Sequence, residues 1–196
     1  MSTSIWKLRW LNKVLFGLCL LPLIYLVYRW QTNGLGINPI ERSAHYTGDW
    51  TLRFLILTLA ITPLRKIRAL TPIVKFRRQL GLWTFFYGCV HAYNYFGLDV
   101  QWNLQIIKED LTVRRFFIIG AMALALMVPL AVTSNNAAIR WMGGQRWQLL
   151  HRLVYVSAIL GAIHYLWQAK TFVQTPLIYA AVIAILLLSR IVLKFV

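Results

Sequence analysis

The segment "WQLLHRLVYVSAILGAIHYLWQ" (residues 147–168) decides the fold of this chain. As a helix it is long enough to cross a hydrocarbon core of about 30 Å, and Arg152 is its only Arg, Lys, Asp or Glu. Two histidines, His151 and His164, lie inside this apolar stretch. An ionisable residue in a membrane span is costly, so its presence favours a functional role. The segment therefore predicts a membrane helix that carries part of a site.

The composition of the whole chain is that of a membrane protein. Of its 196 residues, 59% are hydrophobic and 13% are charged, and the mean hydropathy is +0.61. Such a chain is too apolar for a soluble domain of this length. The formal net charge of +16 does not indicate a nucleic-acid partner, because the basic residues lie between apolar runs rather than along one face. They indicate how the chain is oriented in membrane lipid.

The apolar runs predict an all-α bundle of six transmembrane helices, which forms a single domain over residues 1–196. The runs lie at about residues 11–30, 47–64, 79–97, 115–133, 147–168 and 176–196. The second run contains Arg53, and its predicted start has Thr47 as the N-cap and Asp49 in the first turn. One integral membrane domain is therefore expected to fill the chain.

The connection between the second and third runs sets the predicted orientation. It is rich in basic residues, namely Arg65, Lys66, Arg68, Lys75, Arg77 and Arg78. The positive-inside rule places such a connection on the cytoplasmic side. By alternation, both termini are then cytoplasmic, and the acidic residues fall in or beside the two longer outward loops.

Two histidines are predicted to share one depth in the membrane. Counted inward from the outer helix ends at about 1.5 Å per residue, His91 lies about 9 Å deep and His164 about 7 Å deep. Each follows a glycine by three residues, Gly88 and Gly161, so each imidazole is expected to project beside bare backbone. Imidazole nitrogens in apolar surroundings are typical axial ligands of haem iron. The pair therefore predicts a haem site between the third and fifth helices.

Other interpretations of this pair are weaker. Each histidine can instead make an interhelical hydrogen bond, with the glycines permitting close helix packing. Equal depth and the repeated G-x-x-H spacing favour haem over this alternative. A zinc site or a proton relay needs carboxylates or further ligands at the same depth, and no Asp or Glu lies in the core of any predicted span.

His151 is predicted to lie apart from this pair. It is about 27 Å from the outer end of its helix and about 140° around that helix from His164, and Gln148 rather than a glycine precedes it by three residues. Three roles are open: ligation of a second haem with a partner that is not histidine, contact with a quinone or flavin near the inner face, or a hydrogen bond at the interface.

The remaining polar residues near the outer level are less informative. His45 is expected to be an exposed loop or helix-entry histidine without a function. Arg53, Arg114 and Arg115 are expected at the outer level, where they pair with haem propionates or with lipid phosphates.

Several stretches, taken in order, resemble one known family. They are "GINPIERSAHYTGDWTLRFLILTLAITPLR" (36–65), "RRQLGLWTFFYGCVHAY" (77–93), "AVTSNNA" (131–137), "RWQLLHRLVYVSAILGAIHYLW" (146–167) and "PLIYA" (176–180). The resemblance, which covers nearly the whole chain, is to the MsrQ (YedZ) family. Its members are haem-binding membrane subunits of the MsrPQ protein-methionine-sulfoxide reductase system, in the ferric-reductase-like transmembrane superfamily.

The resemblance implies a b-type cytochrome of the bacterial inner membrane. Such a subunit passes electrons to MsrP, a periplasmic molybdopterin enzyme that reduces methionine sulfoxide in oxidised proteins. The implied electron source is the quinone pool or a cytoplasmic flavin reductase, and FMN is implied alongside haem b. His91 and His164 match the paired haem ligands, and His151 matches a further histidine. The number of haems is open, because Arg77 and Arg78 stand near the place where a fourth membrane histidine is found in the wider superfamily.

Two rival functions fit the same features. One is a cytochrome b subunit of another dehydrogenase, or a ferric reductase. The other is a non-redox small transporter or an assembly scaffold, whose histidines only pack helices together. In the favoured function the chain transfers electrons for an oxidoreductase system and does not itself reduce the sulfoxide, because it has no nucleophile constellation, carboxylate pair or large extramembrane domain.

Overall fold

The computed structural model describes residues 2–169 and 173–195, and within these ranges it is helical, without a β-strand. The all-α class predicted from the sequence is therefore confirmed for the described chain. The α-helices are α1 Ser2–Gln31, α2 Pro39–Leu64, α3 Arg77–Tyr93, α4 Leu104–Val113, α5 Arg115–Val132, α6 Asn136–Met142, α7 Gly144–His151, α8 Leu153–Gln168 and α9 Gln174–Phe195. Val196, the last residue of the sixth predicted run, lies outside the described residues.

Several of these helices have the length and composition of membrane spans. Within the described residues, three stretches meet both criteria, namely Trp10–Gln31, Arg115–Val132 and Gly144–Gln168, and a shorter apolar helix covers Gln174–Arg190. Aliphatic and aromatic side chains on these stretches point outward, as Leu21, Ile118 and Val156 do. Exposed apolar surface of this extent suits a lipid environment. The chain is accordingly a multi-pass helical membrane protein.

The predicted start of the second helix is wrong. Asn38 is the N-cap of α2, because its side-chain oxygen accepts a hydrogen bond from the backbone nitrogen of Glu41 at 3.2 Å, and Pro39 is the first helical residue. Proline is favoured at this position because its missing N–H needs no partner there. Thr47 instead lies inside α2 and is fully buried. His45, expected in a loop or at a helix entry, also lies within this helix.

The predicted fifth helix is two helices in the structure. Helices α7 and α8 meet at Arg152, where the backbone makes i to i−3 hydrogen bonds, from Arg152 to Leu149 at 3.1 Å and from Tyr155 to Arg152 at 2.9 Å. Such bonds tighten the chain locally. The predicted angle between His151 and His164 assumed one continuous helix, which the structure interrupts at Arg152.

Helical structure also fills the predicted connections. A 3₁₀ helix at Arg68–Phe76 occupies the basic connection before α3, and a π-helical segment at Asn94–Asp99 follows α3. The short helices α4 and α6 lie in connections that were expected to be loops. Helix α4 begins at the N-cap Asn103, whose side chain accepts hydrogen bonds from the next turn. None of these connections contains an apolar run long enough to span a membrane, so the apolar runs did not predict helices there.

Two helix pairs, α2 with α3 and α5 with α8, make the largest contacts in the described chain, and α9 packs against both α2 and α8. One buried cluster, including Phe54 and Tyr87, joins α1, α2 and α3. A second, including Leu59, Ala158 and Ile183, joins α2, α8 and α9. This packing sets the end of α3 that carries His91 opposite the part of α8 that carries His164.

Candidate functional site

The structure brings the side chains of His91 and His164 together. Their ring centroids are 6.0 Å apart, and the planes of the two rings cross at 82°. His91 lies near the end of α3 and His164 lies in α8, so the pair is formed by two helices that are far apart in the chain. The equal depth predicted from residue counting is in accord with this contact. We refer to this part of the bundle as the His91 end.

Each imidazole is held by a backbone carbonyl of a neighbouring helix. His91 Nδ1 lies 2.9 Å from the carbonyl oxygen of Ala44 in α2, and His164 Nδ1 lies 2.7 Å from the carbonyl oxygen of Phe116 in α5. A carbonyl oxygen can only accept a hydrogen bond, so Nδ1 carries the proton in both neutral rings. In each ring the lone pair is then on Nε2.

These two bonds bear on both interpretations of the histidine pair, haem ligation and interhelical hydrogen bonding, which the sequence analysis treats as alternatives. The interhelical hydrogen bonds of the less favoured interpretation are present in the structure, but they use only Nδ1 of His91 and of His164. An Nδ1–H that is hydrogen-bonded to a carbonyl is the usual arrangement of a histidine whose Nε2 binds a metal, because the bond fixes the tautomer and the ring orientation. Hydrogen bonding between helices thus occupies Nδ1 of each ring and leaves the lone pair on Nε2.

Two glycines that the sequence analysis did not single out leave room for these imidazoles. A Cβ atom placed on Gly48 would lie 3.2 Å from His91 Cε1 and Nδ1, and one placed on Gly120 would lie 2.5 Å from His164 Nδ1. Gly48 follows Ala44 by four residues, and Gly120 follows Phe116 by four residues. In both α2 and α5, therefore, one turn provides the carbonyl that binds Nδ1, and the next turn provides a glycine whose bare backbone the ring faces.

The glycines that were predicted to border a haem have other neighbours. A Cβ atom on Gly88 would meet Leu124 Cδ1 at 3.0 Å and Thr51 Cγ2 at 3.7 Å, and one on Gly161 would meet Leu52 Cδ2 at 3.6 Å. In the structure, protein side chains from other helices therefore pack at these positions. That Gly88 and Gly161 contact a macrocycle stays a prediction.

The separation of the two rings fits one metal ion between them. A bond between a metal and an imidazole nitrogen is about 2 Å long, and the ring centroid lies about 1.1 Å behind that nitrogen, so two trans imidazoles have centroids about 6 Å apart. The observed 6.0 Å matches this value. The donor set is two neutral nitrogens with no carboxylate beside them, which suits a haem iron better than a free divalent ion. Within the described residues, no group of at least three His, Cys, Asp or Glu side chains comes together as a metal site.

His151, at the end of α7, is engaged through the opposite nitrogen. Its Nε2 lies 3.0 Å from Thr133 Oγ1, and the Thr133 hydroxyl also lies 2.6 Å from the carbonyl oxygen of Pro129. The single hydroxyl proton goes to that carbonyl, which cannot donate, so His151 Nε2–H is the donor to Thr133. Trp147 stacks on the His151 ring at 3.8 Å and donates its Nε1–H to the Thr133 carbonyl at 2.8 Å. We call this group the His151 end.

Three of the polar residues predicted near the outer level have partners within the protein. Arg53 Nε donates to Tyr179 Oη at 2.8 Å, and an Arg53 Nη lies 3.9 Å from Asp49 Oδ2. Arg114 Nε lies 3.0 Å from Asp110 Oδ1. His45 Nε2 lies 3.8 Å from Glu41 and 3.2 Å from Gln168 Nε2. Arg115 is exposed. A pairing of these arginines with haem propionates or with lipid phosphates stays a prediction.

Known proteins with similar sequences place this site in a family. Residues 47–162 match the family described as "Ferric reductase like transmembrane component". A protein of Azospira oryzae is 48% identical over 183 residues, which cover 93% of this chain and 78% of that protein. The chain belongs to the MsrQ family. A relative from Herminiimonas arsenicoxydans is 42% identical over 94% of this chain and 86% of its own length, and one from Rhodospirillum rubrum is 43% identical over 90% and 85%.

The names of these relatives agree with the resemblance stated from the sequence. Each of the three is named "Protein-methionine-sulfoxide reductase heme-binding subunit MsrQ". The region that matches the ferric-reductase-like family includes His91 and His151 and ends just before His164. The MsrQ relatives are similar over most of the chain, so the family assignment rests on far more than the two histidine segments.

Proposed function

We propose that this chain is the haem-binding membrane subunit of a protein-methionine-sulfoxide reductase system. The observation that carries the proposal is the crossed pair of imidazoles, His91 and His164, with each Nδ1 engaged by a carbonyl and each Nε2 left with its lone pair. The reductase system in this proposal comes from the relatives, which are named as heme-binding subunits of a protein-methionine-sulfoxide reductase. Haem b is the cofactor that this donor set fits, and one haem lies between the two rings in this proposal.

The chain's own residues hold and orient the cofactor. His91 and His164 supply the axial nitrogens, and the carbonyls of Ala44 and Phe116 keep both rings in the Nδ1–H tautomer. A haem held in this way supplies a reversible one-electron carrier. If His91 and His164 both hold the iron, no protein-free ligand position would be left for a substrate, which would suit electron transfer.

The direction of transfer is proposed from topology. Six spans with both termini in the cytoplasm place the His91 end near the periplasmic face of the bacterial inner membrane and the His151 end near the cytoplasmic face. The basic residues of the connection between α2 and α3 support this orientation. Helices α2 and α3 complete the six. Helix α2 contains four charged residues, Glu41, Arg42, Asp49 and Arg53, and α3 contains two, at its start.

Electrons are proposed to enter from the quinone pool or from a cytoplasmic flavin reductase and to leave to the periplasmic molybdopterin subunit MsrP. That partner reduces methionine sulfoxide in oxidised proteins, so this chain supports their repair without touching the sulfoxide. We assign His151 to the entry side rather than to a second haem, because its Nε2 already donates to Thr133. FMN, the other cofactor implied by the family resemblance, is proposed near the same end, where Arg77 and Arg78 supply positive charge for a phosphate.

The visible spectrum of the protein purified in detergent from haem-replete cells tests the proposal. Two axial imidazoles keep the iron low-spin, so reduction should sharpen the Soret band and split the α and β bands. The matched control is the His91→Ala/His164→Ala double variant, which should be colourless or high-spin. A colourless wild-type protein would overturn the proposal and favour a transporter or scaffold, and co-purification with a different dehydrogenase would favour another cytochrome b function.

The orientation has a separate test. A reporter enzyme that is active only in the cytoplasm, fused after Val196, should be active, and one that is active only in the periplasm should not be. The opposite result would reverse the proposed direction of electron transfer while leaving the haem site itself intact.

A further inference from the structure

A cluster of buried polar side chains lies beside His91, and ligation by that histidine does not account for it. Ser43 and Thr47 of α2 are fully buried, and Asn94, the first residue of the π-helical segment, is 4% exposed. Burying polar groups costs free energy unless every one of them is hydrogen-bonded. A cluster of this kind in a membrane bundle therefore calls for an explanation.

The side-chain amide of Asn94 joins α2 to the end of α3. Ser43 Oγ lies 2.6 Å from Asn94 Oδ1, and Asn94 Nδ2 donates to Thr47 Oγ1 at 3.2 Å and to the Val90 carbonyl at 2.9 Å. The amide thus uses its acceptor oxygen and both of its donor hydrogens, which is its main capacity for hydrogen bonds. Its two interhelical partners belong to one turn of α2.

That turn contains the carbonyl that holds His91. Ala44 lies between Ser43 and Thr47 in the chain, and its carbonyl oxygen accepts from His91 Nδ1 at 2.9 Å. Asn94 follows His91 by three residues, a spacing that places two side chains on neighbouring positions of a helix. The bonds of Asn94 therefore connect the same two helices, at the same level, as the bond that orients the imidazole.

The other half of the site is arranged differently: near the start of α5, the buried Asp110 pairs with Arg114 at 3.0 Å and accepts from Tyr95 Oη at 2.6 Å. Between α8 and α5, a buried hydrogen bond runs from Ser157 Oγ to the carbonyl of Ala123 at 2.8 Å. Ser157 precedes His164 by seven residues, which is about 10 Å along a helix. The turn that carries the Ala44 carbonyl is thus joined to α3 by a buried amide, whereas in the described residues the side-chain hydrogen bond between α5 and α8 is made by Ser157, away from the Phe116 carbonyl.

We propose that Asn94 is a positioning residue that sets the strength of the hydrogen bond from His91 Nδ1 to the Ala44 carbonyl and thereby tunes the reduction potential of the haem. This inference rests on the proposed ligation of haem by His91. A firmly held acceptor at Nδ1 makes the imidazole a stronger electron donor, which stabilises ferric iron and lowers the potential. Loosening α2 from α3 at this level weakens that bond and raises the potential.

The Asn94→Leu variant tests this role in the haem-loaded protein. Leucine has a similar size and no polar atoms, and the hydroxyls of Ser43 and Thr47 keep own-helix partners, the carbonyl of Ile40 at 2.9 Å and that of Ser43 at 2.8 Å. We expect haem to be retained and the midpoint potential in a redox titration to shift to a more positive value. Ser157→Ala is the matched control, because it removes a buried interhelical hydrogen bond away from either ligand carbonyl and should leave the potential unchanged.

The ferric EPR spectrum supplies a second measurement. Crossed imidazole planes make the signal strongly anisotropic, because each ring interacts with a different iron d orbital and the two orbitals stay close in energy. The 82° crossing angle of His91 and His164 predicts such a signal for the wild type. In Asn94→Leu the ring of His91 is less firmly oriented, so the signal should shift or broaden, whereas Ser157→Ala should retain the wild-type signal.

The outcomes separate this inference from the proposed function. An unchanged potential and EPR signal in Asn94→Leu, or equal shifts in Ser157→Ala, would overturn the role of Asn94 while leaving ligation by His91 intact. A wild-type protein without haem would overturn the proposed function and this inference together. If Asn94→Leu does not fold, Ser43→Ala carries the test, since it removes one bond to Asn94; it should shift the potential in the same direction by a smaller amount, and no shift would count against the proposal.

Discussion

His164 and His151 lie on the consecutive helices α8 and α7, yet their imidazoles are hydrogen-bonded through opposite nitrogens. His164 gives its Nδ1–H to the Phe116 carbonyl and keeps the lone pair on Nε2. His151 gives its Nε2–H to Thr133, which leaves the lone pair on Nδ1 beneath a stacked Trp147. Two histidines of one apolar segment thus differ in the nitrogen that keeps its lone pair.

The difference teaches that an imidazole buried in a membrane protein is not identified as a ligand by burial alone. What matters is which nitrogen is already occupied and whether a second imidazole faces the free one. At the His91 end, Nδ1 of both rings is occupied, and the centroids of the two rings are 6.0 Å apart. At the His151 end, the described residues provide no second histidine, and the hydrogen bond falls on the nitrogen that a haem iron usually takes.

The loss of one axial ligand is expected to have the largest effect, and it tests whether the His91 end differs from the His151 end. We expect His91→Ala and His164→Ala each to lower haem content by more than about tenfold, because even outer-shell partners of a metal ligand contribute about 10- to 100-fold in affinity. The double variant should be little worse than either single variant, since both rings hold the same iron. His45→Ala, which removes the exposed histidine of α2, is the control. If the two single variants removed different spectral components, the pair would not share one iron.

A somewhat smaller effect is expected from the glycines that face the rings. Gly120→Ala places a Cβ atom 2.5 Å from His164 Nδ1, so the ring must move, and haem affinity should fall by about tenfold, the scale of an outer-shell defect. Gly48→Ala, with a clearance of 3.2 Å from His91, should cost less. Gly17→Ala, where nothing lies within 4 Å, is the matched control. Equal haem affinity in the Gly120→Ala and Gly17→Ala proteins would argue that His164 is not held as described.

The smallest effect on the spectrum is expected at the His151 end. His151→Ala should leave the low-spin spectrum of the haem intact, because His151 contributes no nitrogen to the iron between His91 and His164. It should instead slow the reduction of that haem by a reduced soluble flavin in stopped-flow measurements. Disappearance of the same spectral component that His91→Ala removes would contradict the separation of the two ends.

The outer pair could be predicted from the sequence because regular helices convert residue counts into depth. His91 and His164 each lie within about two turns of the end of the predicted run, and the structure brings their rings to 6.0 Å. Gly88 and Gly161 were predicted from the sequence because each shares a helix with one of the histidines, and their contact with a haem stays a prediction. Gly48 and Gly120 lie on partner helices, and their proximity depends on which helices pack together, which periodicity does not reveal.

The sequence did not predict the start of α2 or the break between α7 and α8, and the reasons differ. For α2 the signal was present, since Asn38 with Pro39 and Glu41 is a good capping sequence, but Thr47 and Asp49 imitate a start closer to the apolar run. The break at Arg152 has no Gly or Pro to mark it. It follows Trp147 and His151, whose bonds to Thr133 fix α7 against the end of α5, and tertiary contacts of this kind leave no local pattern.

Chemical rescue of the His164→Gly variant tests most directly that His91 and His164 hold one iron between them. Removing the side chain lowers haem content and leaves space for a free imidazole in its place. We therefore predict that the haem still bound is high-spin and that adding haem together with imidazole restores haem content and the low-spin ferric spectrum. His151→Gly should be low-spin without imidazole and should not respond to it. A His164→Gly protein that is already low-spin before imidazole is added, or a response in His151→Gly instead, would contradict the account.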